Sequence, residues 1–416
     1  MNQITSNEFL NLDFEKSKWN NVFFKQDENI IINTEEIEEN KSKIKNILSY
    51  FDIPVSDIET IVGPTFTSYE VIPDKGARIS KIKDLKYDIA AWFDGDIIRV
   101  IPPVLGKGPN FRIEIVNKNI TKVGIGNMIN SDEFKNTKFE LPIIIGKTVD
   151  NEIYISDLAK MPHLLIGGAT GQGKSMAINS IIVSLLCSKK PDELKLVLID
   201  PKMVELGLYC KIEKQYLAKH LKLEDSIITD SEDAVLTLNS LCIEMDNRYQ
   251  LLKDSNSRNI VEYNEKIEGK ITKNNEASKK LSYIVVIIDE YADLILQYGK
   301  KIEMPIARLA QKSRAVGIHV ILATQRPSYN VVTGIIKANF PSRMAFRVGS
   351  GIDSKTIIDM NGAQYLNGKG DLLISDNQQI TRVQGAYIDI NEIDELCSLI
   401  SESHESAEVY KLPDEI

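Results

Sequence analysis

Short apolar runs alternate with longer segments of helical periodicity between residues 141 and 324. The apolar runs lie at residues 142–146, 164–166, 194–199, 284–288 and 319–324. Runs of this kind, of which 284–288 is unbroken, are typical of strands that a parallel sheet buries on both faces, and the segments between them are long enough for crossover helices. We therefore predict an α/β fold with a mainly parallel sheet for this part of the chain.

The chain before residue 119 shows a different pattern. A helix is predicted to begin near Asn33, whose side chain can cap it, with Glu36 three residues later. Runs rich in β-branched and aromatic residues follow, broken by Gly63-Pro64 and by later glycine and proline turns. The predicted strands lie at residues 60–71, 97–101 and 111–115, and a short helix at 85–93. Residues 33–118 are thus predicted to form a small α+β domain, and residues 1–32, which lack periodicity, an irregular leader.

The rest of the chain is assigned to a second domain at residues 119–400 and a C-terminal tail at 401–416. Within the second domain, helical spacing predicts a helix near residues 234–252. The stretch at 265–280 is rich in Lys, Asn and Glu, and we expect it to be an exposed loop.

Composition limits the class of protein. The 416 residues are 43% hydrophobic and 26% charged, as in ordinary globular proteins. No apolar stretch approaches the ~20 residues of a membrane span, and the first residues do not resemble a signal peptide. The four cysteines form no C-x-x-C pair, which favours reduced thiols. We therefore predict a cytoplasmic protein with no membrane segment in this chain.

Charge is distributed unevenly along the chain. The formal net charge is −9, which argues weakly against a uniformly basic nucleic-acid-binding protein. Between residues 301 and 370, however, ten lysines and arginines face three acids, so this segment carries +7 and the remainder −16. The segment can form one positive face or channel, and a mixed solvated surface remains the alternative.

A glycine-rich phosphate-binding loop lies between the apolar run at 164–166 and a segment of helical spacing. It reads G-x-x-x-x-G-K-S and comprises Gly168, Ala169, Thr170, Gly171, Gln172, Gly173, Lys174 and Ser175. In this strand–loop–helix context, backbone N–H groups and the helix N-terminus hold an anionic phosphate. Lys174 is predicted to contact the β- and γ-phosphates of ATP, and Ser175 to ligate Mg²⁺.

A carboxylate pair ends the buried run at 284–288. Asp289 suits the Mg²⁺ site, and Glu290 suits the positioning or deprotonation of the attacking water. Gln325 ends the next apolar run, and ligands in open α/β sheets lie beyond the carboxyl ends of the strands. We therefore expect Gln325 to contact the γ-phosphate or to orient the water, with a loop amide of no role as the alternative.

Two arginines are candidates for a finger that reaches a neighbouring subunit. Arg314 and Arg326 flank the run at 319–324, and an ordinary ion pair is the alternative for each. His163, just before the P-loop strand, could abut the nucleotide, although a structural histidine is the preferred interpretation.

These motifs together resemble the FtsK/SpoIIIE family of double-stranded DNA translocases. The similarity extends over roughly residues 40–390 and rests on several quoted stretches. These are GPTFTSYEVIP at 63–73, MPHLLIGGATGQGKS at 161–175, IDPK at 199–202, IIDEYADL at 287–294, AQKSRAVGIHVILATQRP at 310–327, GIIKANFPSR at 334–343, GKGDL at 368–372 and RVQGA at 382–386.

The resemblance implies a RecA-like ATPase motor preceded by the smaller domain. It also implies a homo-oligomer, a hexameric ring around duplex DNA, that hydrolyses ATP to move along it. Phosphate contacts are sequence-independent and suit such movement. Lys337, Arg343 and Lys355, in the basic segment, are therefore predicted to contact DNA, with ordinary surface or interface charges as the alternative.

Some features of the family are not carried over. Its members usually have a membrane domain and a winged-helix domain, which the resembling stretches do not include, so membrane anchoring and sequence-directed polarity are not expected here. Two other functions stay open. One is a related ring ATPase that drives conjugative DNA transfer or protein secretion, and the other is a nucleotide-binding scaffold with little hydrolysis.

Overall fold

The computed structural model describes residue 22 and residues 32–75, 86–93, 99–101, 108–274, 279–376, 379–403 and 408–414. The predicted irregular leader at 1–32 therefore lies outside the described residues, apart from residues 22 and 32. Within the described ranges, no helix is both long and apolar enough to cross a membrane.

The small domain is an antiparallel sheet with a helix packed on it. Its elements are α1 (Thr34–Tyr50), β1 (Val55–Val62), β2 (Phe66–Pro73), α2 (Lys86–Ala91), β3 (Arg99–Ile101) and β4 (Phe111–Val116). The strand order is β1-β2-β4-β3. As predicted, the Asn33 side chain caps α1 by accepting the N–H of Glu36 at 3.2 Å, and Gly63-Pro64 separates the first two strands. Ile44, Tyr69 and other apolar side chains form a separate core.

The second domain begins with two short helices and a strand pair that lead to the P-loop strand. The elements up to the middle of the domain are α3 (Ile125–Asn130), α4 (Asp132–Lys135), β5 (Pro142–Thr148), β6 (Ile153–Asp157), β7 (His163–Gly167), α5 (Lys174–Ser188), β8 (Leu194–Ile199), α6 (Glu213–Tyr216), β9 (Ala218–His220), β10 (Ile227–Ile228) and α7 (Ser231–Asp254). A 3-10 turn, Gly207–Ile212, precedes α6.

The remaining elements complete the sheet and its covering helices. They are α8 (Ile260–Asn274), β11 (Tyr283–Ile288), α9 (Tyr291–Tyr298), α10 (Lys300–Lys312), β12 (Ile318–Thr324), α11 (Gly334–Asn339), β13 (Ser342–Phe346), α12 (Gly351–Ile358), β14 (Asp371–Asp376), β15 (Gln379–Gly385), α13 (Ile390–Ser403) and β16 (Tyr410–Leu412). Two further 3-10 turns are Ser313–Val316 and Ala363–Tyr365.

One ten-stranded sheet organises the second domain, in the order β10-β8-β11-β12-β7-β13-β14-β15-β5-β6. The six strands from β10 to β13 are parallel, and the others pair antiparallel. Successive residues alternate between two cores: Val285 and Ile287 pack on one face of β11, whereas Ile284, Val286 and Ile288 pack on the other. Burial on both faces explains the unbroken apolar runs and confirms the predicted mainly parallel α/β fold.

The predicted loop at 265–280 is wrong for residues 265–274, which belong to α8. Ile260, Tyr263 and Ile267 recur at helical spacing and are buried, while Glu265 and Glu268 are exposed. The side chain of Asn264 bonds both the N–H and the carbonyl of Leu281, which joins this helix to the segment before β11. The polar composition describes the outer face of an amphipathic helix.

The end of the chain packs on the second domain. β16, within the predicted tail at 401–416, pairs in parallel with β9, and Leu412 is buried. The Lys222 ammonium lies 2.6 Å from the carboxylate of Asp414, and Arg248 donates to the Tyr410 hydroxyl at 3.5 Å.

Candidate nucleotide site

The P-loop connects β7 to α5 at the carboxyl end of the parallel strands. Gly171 (φ 74°) and Gly173 (φ 116°) occupy backbone conformations that favour glycine. The Lys174 side chain is only 3% exposed, and its ammonium donates to Asp289 Oδ1 at 2.8 Å and to the Asp289 backbone carbonyl. The lysine predicted to bind phosphate is thus held by the acid predicted for the metal site.

Gln325 lies between the P-loop and the carboxylate pair because β12 separates β7 from β11 in the sheet. Its side-chain oxygen accepts the Thr170 hydroxyl at 2.7 Å. Its backbone N–H donates to Glu290 Oε2 at 3.0 Å. The structure therefore brings the P-loop, Glu290 and Gln325 together at one edge of the sheet.

Glu290 is buried, with 2% of the residue exposed, and several donors fix its carboxylate. Besides the Gln325 amide, Oε1 accepts the Thr324 hydroxyl at 2.8 Å and the Ala292 N–H at 3.3 Å. This last bond also caps α9. A carboxylate held in this way has a fixed orientation at the carboxyl end of β11.

Ser175 and a second carboxylate form the other side of the site. The Ser175 hydroxyl donates to Glu205 Oε1 at 2.7 Å. Glu205 lies in a loop after β8 that Asp200 organises, since the Asp200 carboxylate accepts the N–H groups of Lys202, Glu205 and Leu206 at 3.0–3.1 Å. Sequence reasoning missed Glu205, although the adjacent IDPK stretch had been singled out.

A cavity of about 560 Å³ opens beside the P-loop, a volume that suits a nucleotide. Its walls include residues that the sequence did not single out individually. They come from three segments: Ile120, Thr121, Lys122 and Val123; Lys369 and Gly370; and Gln384, Gly385, Ala386 and Tyr387. The Lys122 ammonium lies 4.2 Å from the centre of the Tyr387 ring. The GKGDL and RVQGA stretches contain five of these ten residues, so part of the missed signal was present in the sequence.

The two candidate arginines lie at opposite ends of β12. Arg326 is exposed just beyond the carboxyl end, near Gln325, whereas Arg314 is exposed in the 3-10 turn before the amino end. The seven residues of β12 span about 20 Å. Arg314 therefore lies at the opposite end of the parallel strands from the P-loop of its own chain.

The three predicted DNA contacts share one cluster but differ in environment. Lys337 donates to the backbone carbonyl of Lys355 at 3.1 Å and pairs with Asp359. The Arg343 side chain is only 12% exposed, pairs with Asp359 and donates to the carbonyls of Phe340 and Lys337 at 2.9 and 2.8 Å. The Lys355 residue is exposed. Of the three, Lys355 is the one whose side chain is presented to solvent.

His163 lies at the amino end of β7, away from the P-loop, which contradicts contact with a nucleotide in its own chain. Its Nδ1 accepts the N–H of Val320 at 3.1 Å. Burial, together with the nearby His319, lowers the pKa of His163 to about 3. It is a neutral structural histidine.

Sequence comparison matches both parts of the chain to known families. The profile described as "FtsK/SpoIIIE family" matches residues 125–329, and the profile described as "FtsK alpha domain" matches residues 22–117. A protein from Haemophilus influenzae, named DNA translocase FtsK, is 43% identical over 381 residues, which cover 87% of this chain and 70% of that protein. The chain belongs to the FtsK/SpoIIIE family. This confirms the predicted family, its P-loop ATPase class and the small α+β domain before a RecA-like core.

A second relative shows how much of such proteins the chain spans. The DNA translocase FtsK of Chlorobaculum tepidum is 43% identical over 382 residues, which cover 91% of this chain and 46% of that protein. The chain thus spans about half the length of that relative.

Two solved structures share the fold. One is the pCW3 conjugation coupling protein TcpA, in a monomer form with ATPγS. It has a TM-score of 0.57 at 24% identity, and covers 87% of this chain and 99% of that chain. The other is the cytoplasmic domain of the type VII secretion ATPase EccC of Thermomonospora curvata. It has a TM-score of 0.54 at 19% identity, and covers 70% of this chain and 35% of that chain.

Proposed function

We propose that the chain hydrolyses ATP and uses the free energy to move double-stranded DNA. The observation that carries this proposal is the convergence of the P-loop, the Asp289-Glu290 pair and Gln325 at one sheet edge. Family membership supports the same conclusion, because its relatives are named DNA translocases. We also propose the domain division predicted from the sequence, with the small domain at 33–118 and the motor at 119–400.

Each residue of the site has a proposed role in hydrolysis. Backbone N–H groups of residues 168–175 hold the phosphates, and Lys174 exchanges its bonds to Asp289 for contacts to the β- and γ-phosphates. Glu290 orients the attacking water and accepts its proton, while the Gln325 amide contacts the γ-phosphate or that water. Water attack then yields ADP and inorganic phosphate.

The site contains the oxygen ligands that Mg²⁺ prefers. The Ser175 hydroxyl and the Asp289 carboxylate flank Lys174, and the Glu205 carboxylate lies within a hydrogen bond of Ser175. We propose that Ser175 and Asp289 hold Mg²⁺, the latter through its water shell. When bound, the ion neutralises charge on the phosphate oxygens. Glu205 orients Ser175.

We propose that the active form is a homo-oligomer, a hexameric ring. Arg314 supports this, because its exposed guanidinium lies across the sheet from its own P-loop and can serve a neighbour's γ-phosphate. Arg326, at the same edge as Gln325, is proposed to act at or near its own site. In this arrangement each nucleotide lies between two subunits, so hydrolysis can change their relative position.

We propose that the basic segment at 301–370 faces DNA in the ring channel. Lys355 is the proposed direct phosphate contact, and Lys337 joins it once its pairing with Asp359 is exchanged for phosphate. Arg343 supports the same surface through its hydrogen bonds to the backbone carbonyls of Phe340 and Lys337. The cytoplasm is the proposed location.

A coupled assay tests the proposed function. Linear duplex DNA should stimulate ATP hydrolysis several-fold, and the protein should displace a triplex-forming strand ahead of it in an ATP-dependent manner. Lys174→Ala should abolish both activities. Stimulation by a secreted protein substrate with no response to duplex DNA would instead favour secretion. ATP binding with negligible turnover would favour a scaffold.

A further inference from the structure

The turn at residues 368–370 is pressed against the P-loop. The Gly370 N–H donates to the carbonyl of Gln172 at 2.9 Å. A Cβ added to Gly173 would lie 2.7 Å from Gly370 Cα, so the two backbones are packed as closely as glycine permits. The position of this turn therefore fixes the position of the P-loop peptide between Gln172 and Gly173.

The turn needs external support to keep this conformation. Gly368, Lys369 and Gly370 all have positive φ, at 80°, 51° and 94°. Lys369 pays a conformational penalty there that glycine would not. A backbone of this kind persists where surrounding contacts over-determine it.

A glutamine supplies one such contact and connects the turn to the small domain. The Gln384 side-chain N–H donates to the Lys369 carbonyl at 3.0 Å. Its side-chain oxygen accepts the hydroxyl of Thr65, in the small domain, at 2.7 Å. Both residues are buried, with Thr65 1% and Gln384 7% exposed, although Gln384 also lines the cavity beside the P-loop.

An ion cluster fastens the two domains beside this connection. The Arg382 guanidinium donates twice to the Asp371 carboxylate, at 2.9 and 2.6 Å, and also to Glu114 of the small domain. It lies 4.3 Å from the centre of the Phe66 ring. Burial alone would lower the pKa of Arg382, but the two carboxylates outweigh it and raise that pKa. Asp371 directly follows the turn, so Arg382 links the turn to Glu114 of the small domain.

We propose that Thr65 and Gln384 are positioning residues that make nucleotide affinity depend on how the small domain is seated on the motor. The inference rests on the proposed function only in that the P-loop binds ATP. Thr65 holds the Gln384 amide, Gln384 holds the Lys369 carbonyl, and the turn holds the P-loop. A shift of the small domain therefore moves the phosphate site. By the same coupling, a nucleotide that orders the P-loop stabilises the contact of the small domain with the motor.

Thr65→Val tests the proposal because it removes the hydroxyl and keeps the shape. Loss of one buried hydrogen bond should raise the Kd for a fluorescent ATP analogue and the KM for ATP about five-fold. The kcat should stay within about two-fold, because the reacting groups are untouched. Thr65→Ser keeps the hydroxyl donor and should restore the Kd and the KM of the unsubstituted protein.

Thr67→Val is the matched control, since the Thr67 hydroxyl donates to Asn117 at 2.7 Å within the small domain. It should lower thermal stability about as much as Thr65→Val while leaving nucleotide affinity unchanged. Equal effects of the two variants on Kd and KM would overturn the proposal.

Amide hydrogen exchange gives a readout that needs no nucleotide. Exchange at Gly370 should be faster in Thr65→Val than in Thr67→Val or the unsubstituted protein. Unchanged exchange would also overturn the proposal. If the unsubstituted chain failed to bind ATP, the proposed function would fail. The exchange measurement would still test whether the Thr65–Gln384 hydrogen bond holds the turn at 368–370.

Discussion

Lys174 and Asp289 form a buried ion pair, with 2.8 Å between the ammonium and the carboxylate and at most 3% of either side chain exposed. Each charge thus neutralises the other in a site that solvent barely reaches. A buried pair of this kind is favourable only while both partners remain. We therefore propose that phosphate replaces the carboxylate as the partner of Lys174 when a nucleotide binds, and that Asp289 then interacts with the metal.

Removing Lys174 is expected to weaken nucleotide binding and to abolish turnover. Hydrogen bonds to charged groups contribute about 1.5–3 kcal/mol, so Lys174→Ala should weaken ATP binding by roughly 10- to 100-fold. Fluorescence titration with an ATP analogue measures the affinity, and phosphate release measures hydrolysis. Lys189→Ala, just after the same helix, is the control and should leave both unchanged. Retention of turnover by Lys174→Ala would contradict the assigned role.

Glu290→Gln should separate binding from chemistry. The amide keeps the size of the side chain but cannot accept the water proton, and loss of a general base typically costs about 10²–10⁴-fold in kcat. ATP affinity should stay near that of the unsubstituted protein, as measured by equilibrium titration. Asp293→Asn, in the first turn of α9, is the control because Asp293 pairs with Lys202 at the surface. A variant that hydrolysed ATP normally would remove Glu290 from the mechanism.

Arg314 is expected to act on the nucleotide of a neighbouring subunit. Arg314→Ala should lower kcat by roughly 10³-fold or more while the chain still binds ATP. Arg308→Ala is the control, since Arg308 is half-exposed and pairs with Asp246. The decisive measurement mixes Arg314→Ala with Lys174→Ala, each inactive alone. A site made of an intact P-loop and a neighbour's Arg314 then re-forms, and random mixing should restore about a quarter of the activity. No recovery from a mixture that assembles would show that Arg314 does not act between subunits.

The sequence predicted the P-loop and the carboxylate pair because each rests on a local pattern. Residues 168–175 carry their own spacing, and Asp289-Glu290 directly end an unbroken apolar run. Gln325 was also placed correctly at the same sheet edge, because parallel strands end on the same side. That β12 lies between β7 and β11 could not be predicted from residue patterns, since strand order depends on the whole fold.

Contacts between distant segments were beyond the sequence. Glu205, Lys369 and Gln384 approach the P-loop only through tertiary packing, although two of them lie in stretches quoted for the family. The loop predicted at 265–280 is wrong for residues 265–274 because their polar composition outweighed the helical spacing of Ile260, Tyr263 and Ile267.

The three predicted DNA contacts should give different results because their environments differ. Lys355 is exposed, so Lys355→Ala should weaken duplex DNA binding and lower the slope of log K against log salt by about 1. The thermal stability of the Lys355→Ala variant and its DNA-independent ATP hydrolysis should not change. Arg343 instead satisfies backbone carbonyls from a nearly buried position, so Arg343→Ala should reduce the free energy of unfolding by about 1–3 kcal/mol.

Salt titrations of DNA binding and thermal unfolding, run on both variants, separate these outcomes. Lys337→Ala should both lower the salt slope and reduce thermal stability. Lys337 donates to the Lys355 carbonyl, and its ammonium can exchange Asp359 for a DNA phosphate. Lys312→Ala is a control for loss of a cation, since Lys312 lies at the end of α10, on the side of Arg314. If Lys355→Ala left the salt slope unchanged while Lys312→Ala lowered it, the DNA contact would lie at Lys312 rather than at Lys355.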